Sequence, residues 1–211
     1  MSNMAHDSES ARIRLFSGEF EEKARQEVEK RLRLGDEVTV LVFGRDVGDL
    51  ASSLAESGAR VVVDADNGNL PAHAGLRTLP FSLAALPDSG ALPEAPFDVI
   101  FGQLALHALP YGEAHKALSR VMQMLKIGGK LYLSAYGLHS TLGDHYPDSG
   151  KLVEQRFAEL PAALADLYGL SGPVCLYSER NLFTLLFEIG APVLQSSTGA
   201  LGNVQAVAVR I

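Results

Sequence analysis

The chemistry most visible in this chain lies in one short stretch, VLVFGRDVGDLASSLAESGARVVVD, from Val40 to Asp64. Gly44 and Gly48 bracket a loop that follows an apolar run, and Asp64 follows Gly44 by 20 positions at the end of a second apolar run. Glycines there let a ligand lie against the backbone. A carboxylate at that separation can accept hydrogen bonds from both hydroxyls of a ribose. The pattern points to nucleotide-cofactor binding, although Asp46 stands in the middle of the loop, where a third glycine would complete it. Read more plainly, Gly44 and Gly48 only shape a turn and Asp64 only ends a strand.

A second group, His139, Asp144, His145, Tyr146 and Asp148, falls within the loop GLHSTLGDHYPDSG. Two histidines and two acids could supply a general base or hold a metal. Their spacing matches no metal signature, and Gly, Pro, Asp and Ser together are ordinary loop composition. The expectation is a loop on the substrate side, with no metal.

These residues need elements to position them. Phe20, Ala24, Val28 and Leu32 recur every four positions among charges, predicting an amphipathic helix over 17–34 that Ser17 caps and Gly35 ends, preceded by a loose Met1 to Ser10. Strands are expected near 38–43, 60–63, 97–101 and 130–135, with another near 79–83. Helices are expected near 49–56, 112–126 and 178–188. Pro161 should interrupt helical material between Val153 and Tyr168. The strands are continuous apolar runs, as in a parallel sheet covered on both faces, and their alternation with helices implies right-handed βαβ units. The last two runs, 191–197 and 204–210, surround TGALGN and predict an antiparallel pair at one edge.

Phe97 to Gly137, FDVIFGQLALHALPYGEAHKALSRVMQMLKIGGKLYLSAYG, resembles the class I S-adenosylmethionine-dependent methyltransferases, particularly the small-molecule enzymes of the ubiquinone and menaquinone type. The likeness rests on Phe97-Asp98, on Leu106-His107, on Leu125-Lys126-Ile127-Gly128-Gly129, and on the closing helix-strand-strand of the tail. It covers the chain from about Val38 onward, departing at Ala108 and Ile127. It implies a doubly wound, Rossmann-like α/β fold with a mostly parallel seven-stranded sheet and an antiparallel C-terminal strand. An N-terminal extension and helix, residues 1–36, would precede a methyltransferase-like domain, residues 37–211.

By the same resemblance S-adenosylmethionine is the implied cofactor. Gly44, Asp46, Gly48, Asp64, Gly102 and Gln103 are its candidate contacts, and Tyr136, His139, His145 and Tyr146 are candidates on the substrate side. Val42 occupies the place of the acid that usually helps hold the methionine ammonium, and Ser82 lies nearest to that of the adenine-reading acid. Asp46 could replace the first of these by pairing with the ammonium. It could instead fill the cofactor's space and repel its carboxylate, or simply cap the next helix.

Composition narrows the classes of function. The chain has 211 residues, 47% hydrophobic and 20% charged, which suits one globular domain. A net charge of −7 argues against a general nucleic-acid binder. The lone Cys175 excludes an internal disulfide and any multi-cysteine metal site. No stretch reaches the apolar length of a membrane span, so a soluble, cytoplasmic protein is expected.

The leading expectation is methyl transfer from S-adenosylmethionine to a small molecule. A non-catalytic binding or assembly protein of the same fold, working with a protein partner or as a homo-oligomer, is the alternative. A nicotinamide-dependent oxidoreductase shares the Gly and Asp spacing but fits the C-terminal strands badly.

Overall fold

The computed structural model describes residues 3–65, 70–86 and 92–211, with side chains from residue 18 onward. Helix α1 (Asn3–Arg33) leads into β1 (Thr39–Gly44), α2 (Gly48–Glu56), β2 (Arg60–Asp64) and β3 (Leu76–Leu79). Then come β4 (Phe97–Gln103), α3 (Tyr111–Met124), β5 (Leu125–Ala135), α4 (Ala162–Tyr168), α5 (Glu179–Glu188), β6 (Val193–Thr198) and β7 (Val204–Val209). The seven strands form one sheet in the order β3-β2-β1-β4-β5-β7-β6. β1 through β5 pair in parallel, whereas β7 runs antiparallel to both β5 and β6.

Alternate residues of each strand serve opposite faces. Val40, Val42, Val61, Val63, Val99 and Phe101 pack against α1 and α2, while Leu41, Phe43, Val62, Ile100 and Leu133 pack against α3 and α5. That two-sided burial is why the strands read as continuous apolar runs. The helix-spaced Phe20, Ala24 and Val28 are all buried, and the Phe20 ring meets Phe101 and Tyr132 at centroid distances of 5.8 and 5.9 Å.

Several local expectations are corrected. α1 begins at Asn3, within the stretch expected to be loose and well before Ser17, which is therefore no N-cap; its side chain lies outside the described residues. Gly35, at φ +87°, does close the helix in the left-handed conformation. β3 ends at Leu79, ahead of the expected run: Phe81 and Leu83 are buried in the core from a loop, so their hydrophobicity marked packing and not a strand. Pro161 does interrupt the helix, standing at the N-cap of α4. Ser178 caps α5 in a full capping box with Asn181.

Residues 137–177 are an ordered cover with a small apolar core of their own. Leu142, Tyr146, Leu160, Leu170 and Val174 pack there with Leu104 and Tyr136 from the sheet.

Candidate functional site

β1 departs for α2 on one side while β4, its other neighbour, leads to α3 on the other, so the strand order reverses between them. In open α/β sheets ligands bind at such a switch point, beyond the carboxyl ends of the strands. Gly44 ends β1 at φ +103°, and a Cβ built there would sit 2.0 Å from the carbonyl oxygen of Gln103. No side chain fits. The Arg45 amide donates to that carbonyl at 2.9 Å, and Gln103 Nε2 donates back to the Arg45 carbonyl at 3.0 Å. The glycine loop is thus clamped to the end of β4 through both the amide and the carbonyl of Arg45.

Beyond this clamp opens a cavity of about 660 Å³, within the usual range for small-molecule sites. Gly44, Asp46 and Gly48 form one wall, Asp64 and Ser82 another, and Leu104, Ala105, His107, Ala108 and Leu109 a third. Asp64 is buried at the end of β2 and has a partner of its own. Asp46 is exposed and holds the left-handed φ of +53°, a conformation that glycine adopts freely and aspartate tolerates. The N-cap of α2 is Val47 and no side chain caps it, so the capping role considered for Asp46 is not realised. Val42 is buried in the core under α1 and α2, leaving Asp46 as the acid of this loop that lines the cavity.

Gly102 and Gln103 do not line the cavity. A Cβ on Gly102 would meet the Phe43 ring at 2.7 Å, so that glycine makes room for core packing, and Gln103 serves as the clamp. The backbone beside the cavity belongs to the next residue, Leu104, held at φ +48° with its amide donating to Ser134 Oγ at 3.0 Å. A bulky residue in that conformation is strained, and such strain gathers at functional sites.

Arg45 and His107 are the residues that sequence reasoning undervalued. The Arg45 guanidinium reaches away from the loop to donate to Tyr136 Oη at 3.2 Å and to the Tyr168 carbonyl, near the end of α4, at 2.8 Å. It ties the glycine loop to the cover. No spacing rule distinguishes this arginine from any other loop cation. His107 is half-buried, with Nδ1 2.7 Å from the Leu104 carbonyl and its ring edge-on to Tyr136 at 5.2 Å. Burial lowers its pKa, opposed by the Leu104 hydrogen bond and reinforced by the Arg45 charge. The imidazole is therefore neutral, with its proton on Nδ1, because a carbonyl can only accept.

The substrate-side candidates divide. Tyr136 is buried beside the cavity, its ring meeting His107 and its hydroxyl Arg45. His139 and His145 are exposed on the cover and do not line the cavity. Tyr146 is structural, donating to the Val174 carbonyl at 2.5 Å and accepting from the Ala158 amide at 3.2 Å. Asp148 likewise accepts from the Phe157 amide and pairs with Lys151. Among the described residues no cluster of His, Cys, Asp and Glu could hold a metal, and no helix is long and apolar enough to cross a membrane.

No protein-family model matches the sequence, nor does any curated protein. Solved structures do match the fold. An S-adenosylmethionine-dependent methyltransferase from Mesorhizobium loti superposes with a TM-score of 0.61 at 15% identity, over 82% of this chain and 91% of that one. One from Methanosarcina mazei gives 0.59 at 17%, over 83% and 93%. The 1,6-didemethyltoxoflavin-N1-methyltransferase of Burkholderia thailandensis, with 1,6-didemethyltoxoflavin and S-adenosylhomocysteine bound, gives 0.57 at 17%, over 89% and 78%. With the strand order found here, these likenesses identify the fold as that of the class I S-adenosylmethionine-dependent methyltransferases.

Proposed function

We propose that the chain binds S-adenosylmethionine at the switch-point cavity and transfers its methyl group to a small molecule, as a soluble cytoplasmic enzyme. The observation that carries this reading is the Gly44 turn, too close to Gln103 for any side chain, opening on a cavity whose far wall bears Asp64. The residues present fit the cofactor. Gly44 and Gly48 let it approach the backbone, and the Asp64 carboxylate, with lone pairs beyond its existing partner, accepts the ribose hydroxyls. Asp46 would pair with the cationic methionine end, and Leu83 and Leu109, which also line the cavity, would offer apolar surface to the base. The cofactor supplies an activated methyl group on a sulfonium. The chain's part is to align the acceptor and exclude water, which can provide most of the acceleration. Phe43, Leu104, Leu109 and the packed cover over Tyr136 serve that purpose.

A second reading, a fold that no longer binds the cofactor, has one observation in its favour: a charged side chain, Asp46, stands where the loop most needs open space. Calorimetric titration with S-adenosylhomocysteine decides between them. Under the proposed function the wild type releases heat and is thermally stabilised, and Asp46→Gly weakens binding roughly tenfold, the scale of one charge-assisted hydrogen bond. A silent wild type at millimolar ligand, with binding unmasked by Asp46→Gly, would establish the second reading instead.

A further inference from the structure

The sheet ends at β6, which among the described strands pairs with β7 alone. Its run VLQSST carries no charged side chain and no proline, although exposed edges are commonly blunted by such residues or by bulges. β6 has one bulge, between Val193 and Gln195, after which Gln195 to Thr198 continue in regular register.

α5 overhangs this edge. Glu179 in its first turn accepts from Ser196 Oγ at 2.7 Å and from Thr198 Oγ1 at 3.1 Å, both on β6. At its other end Glu188 accepts from Tyr111 Oη of α3 at 2.8 Å. One flank of α5 therefore faces the edge and the opposite flank faces α3. Residues four apart share a flank of a helix, so Phe183 and Phe187, four and eight positions after Glu179, stand on the edge side. They are 44% and 72% exposed, and Leu194, at the bulge of β6, is 57% exposed. Arg180, seven positions before Phe187, continues the stripe; it is exposed and joins no ion pair among the described residues.

We propose that a second copy of this chain covers this flank, the two α5 helices packing antiparallel about a two-fold axis level with Leu185. Symmetry and charge select this occupant. A two-fold axis midway between Phe183 and Phe187 sets each Phe183 against Phe187 of the other copy, so one patch complements itself. The same operation sets Arg180 opposite Gly190 of the other copy, at the carbonyl end of its α5. That end carries Glu188 and no basic residue in the last turn, and is complementary to a cation. Brought edge to edge, the two β6 strands run antiparallel and meet with no charge between them. The two rings cover roughly 200 Å² per copy, about a quarter of the ~800 Å² that a standard interface takes from each partner. The dimer is accordingly weak, of about micromolar affinity. β5 and β7 separate β6 from β4, so the pairing leaves both switch-point cavities free.

The test is sedimentation equilibrium of the full chain from about 1 to 500 μM. The wild type should pass from one copy to two with a Kd of about 10 μM. Phe187→Glu should weaken association by at least about 100-fold, and Arg180→Glu by about tenfold. Urea midpoints should stay near that of the wild type, because both side chains are exposed. Phe183→Lys, like Phe187→Glu, should keep the mass of one copy when alone. Mixed, these two variants should associate to within about tenfold of the wild type, because the two-fold pairing sets the introduced cation against the introduced anion and keeps one Phe183–Phe187 contact. A wild type that keeps the mass of one copy throughout, leaving the flank to a different protein, overturns the proposal. So does a mass that climbs past two copies, a dimer indifferent to Phe187→Glu, or a mixture that associates no more tightly than its separate variants.

Discussion

A single atom decides what the glycine loop tolerates. At Gly44 an added methyl would lie 2.0 Å from a backbone oxygen that is itself part of the clamp, at a φ of +103° that L residues avoid. Neither the contact nor the conformation can relax without moving β4, so Gly44→Ala should cost about 2–4 kcal/mol in denaturant unfolding and abolish S-adenosylhomocysteine binding. A well-folded variant with unchanged affinity would show that the loop does not serve the cofactor. Gly44 and Asp64 were legible in the sequence because their requirements are local: a tight turn, and an acid at a strand end. Arg45 and Leu104 were not. Their roles depend on Tyr168 and Ser134, which the fold alone brings near, and residue type does not encode those partners. His107 was visible as part of a motif, but its neutral tautomer follows only from the position of the Leu104 carbonyl.

Among the elements, β1, β2 and β4 were read to within two residues, but α3 stops at Met124 and β5 begins at Leu125, where the helix was expected to reach 126 and the strand to start at 130, and β3 was misplaced because it is an edge strand with no buried side chain. The Phe97-Asp98 pair shows what a motif can stand for. Asp98 accepts from the Thr39 amide at 2.8 Å, from Thr39 Oγ1 at 3.0 Å and from Lys126 Nζ at 2.7 Å, with Arg31 of α1 at 3.5 Å. This one carboxylate joins α1, β1, β4 and β5 at the sheet end opposite the cavity. Burial alone would raise its pKa, but the bonds from Lys126 and Thr39 outweigh that and hold it below the usual carboxylate value. Folding therefore favours the ionised form, and the unfolded chain binds the proton more readily. The contribution is present above the unfolded value of about 3.9 and is lost as pH falls through the lower folded value. Asp98→Asn should lower stability by roughly 2 kcal/mol at pH 7. Urea midpoints for wild type and variant should converge as the pH drops below about 4, with S-adenosylhomocysteine affinity at pH 7 unchanged. A gap that persists undiminished at acid pH would assign Asp98 a packing role only.

At the scale of the molecule, the alternation of apolar runs and helices was enough to read a doubly wound sheet with an antiparallel end. It could not reveal how firmly α1 belongs to that sheet, since an amphipathic stripe says that a helix is covered without saying by what. The structure packs Phe20, Ala24 and Val28 onto the face shared with α2, whereas Cys175 is buried in the core on the opposite face. Its thiol is fully inaccessible, and burial pushes its pKa up to about 11, against smaller opposing effects from Tyr177 and Arg156. A thiol reagent at mildly alkaline pH can label it only when the protein opens. If the sheet and both helical layers form one cooperative unit, loosening one face must expose the thiol on the other. Phe20→Ala removes a buried ring at a cost of about 3 kcal/mol, worth roughly a hundredfold in the opening equilibrium. Labelling of Cys175 should therefore accelerate by about that factor and track the loss of global stability measured in urea. Labelling at the wild-type rate would mean that α1 detaches by itself, as an appendage to a domain that stands without it.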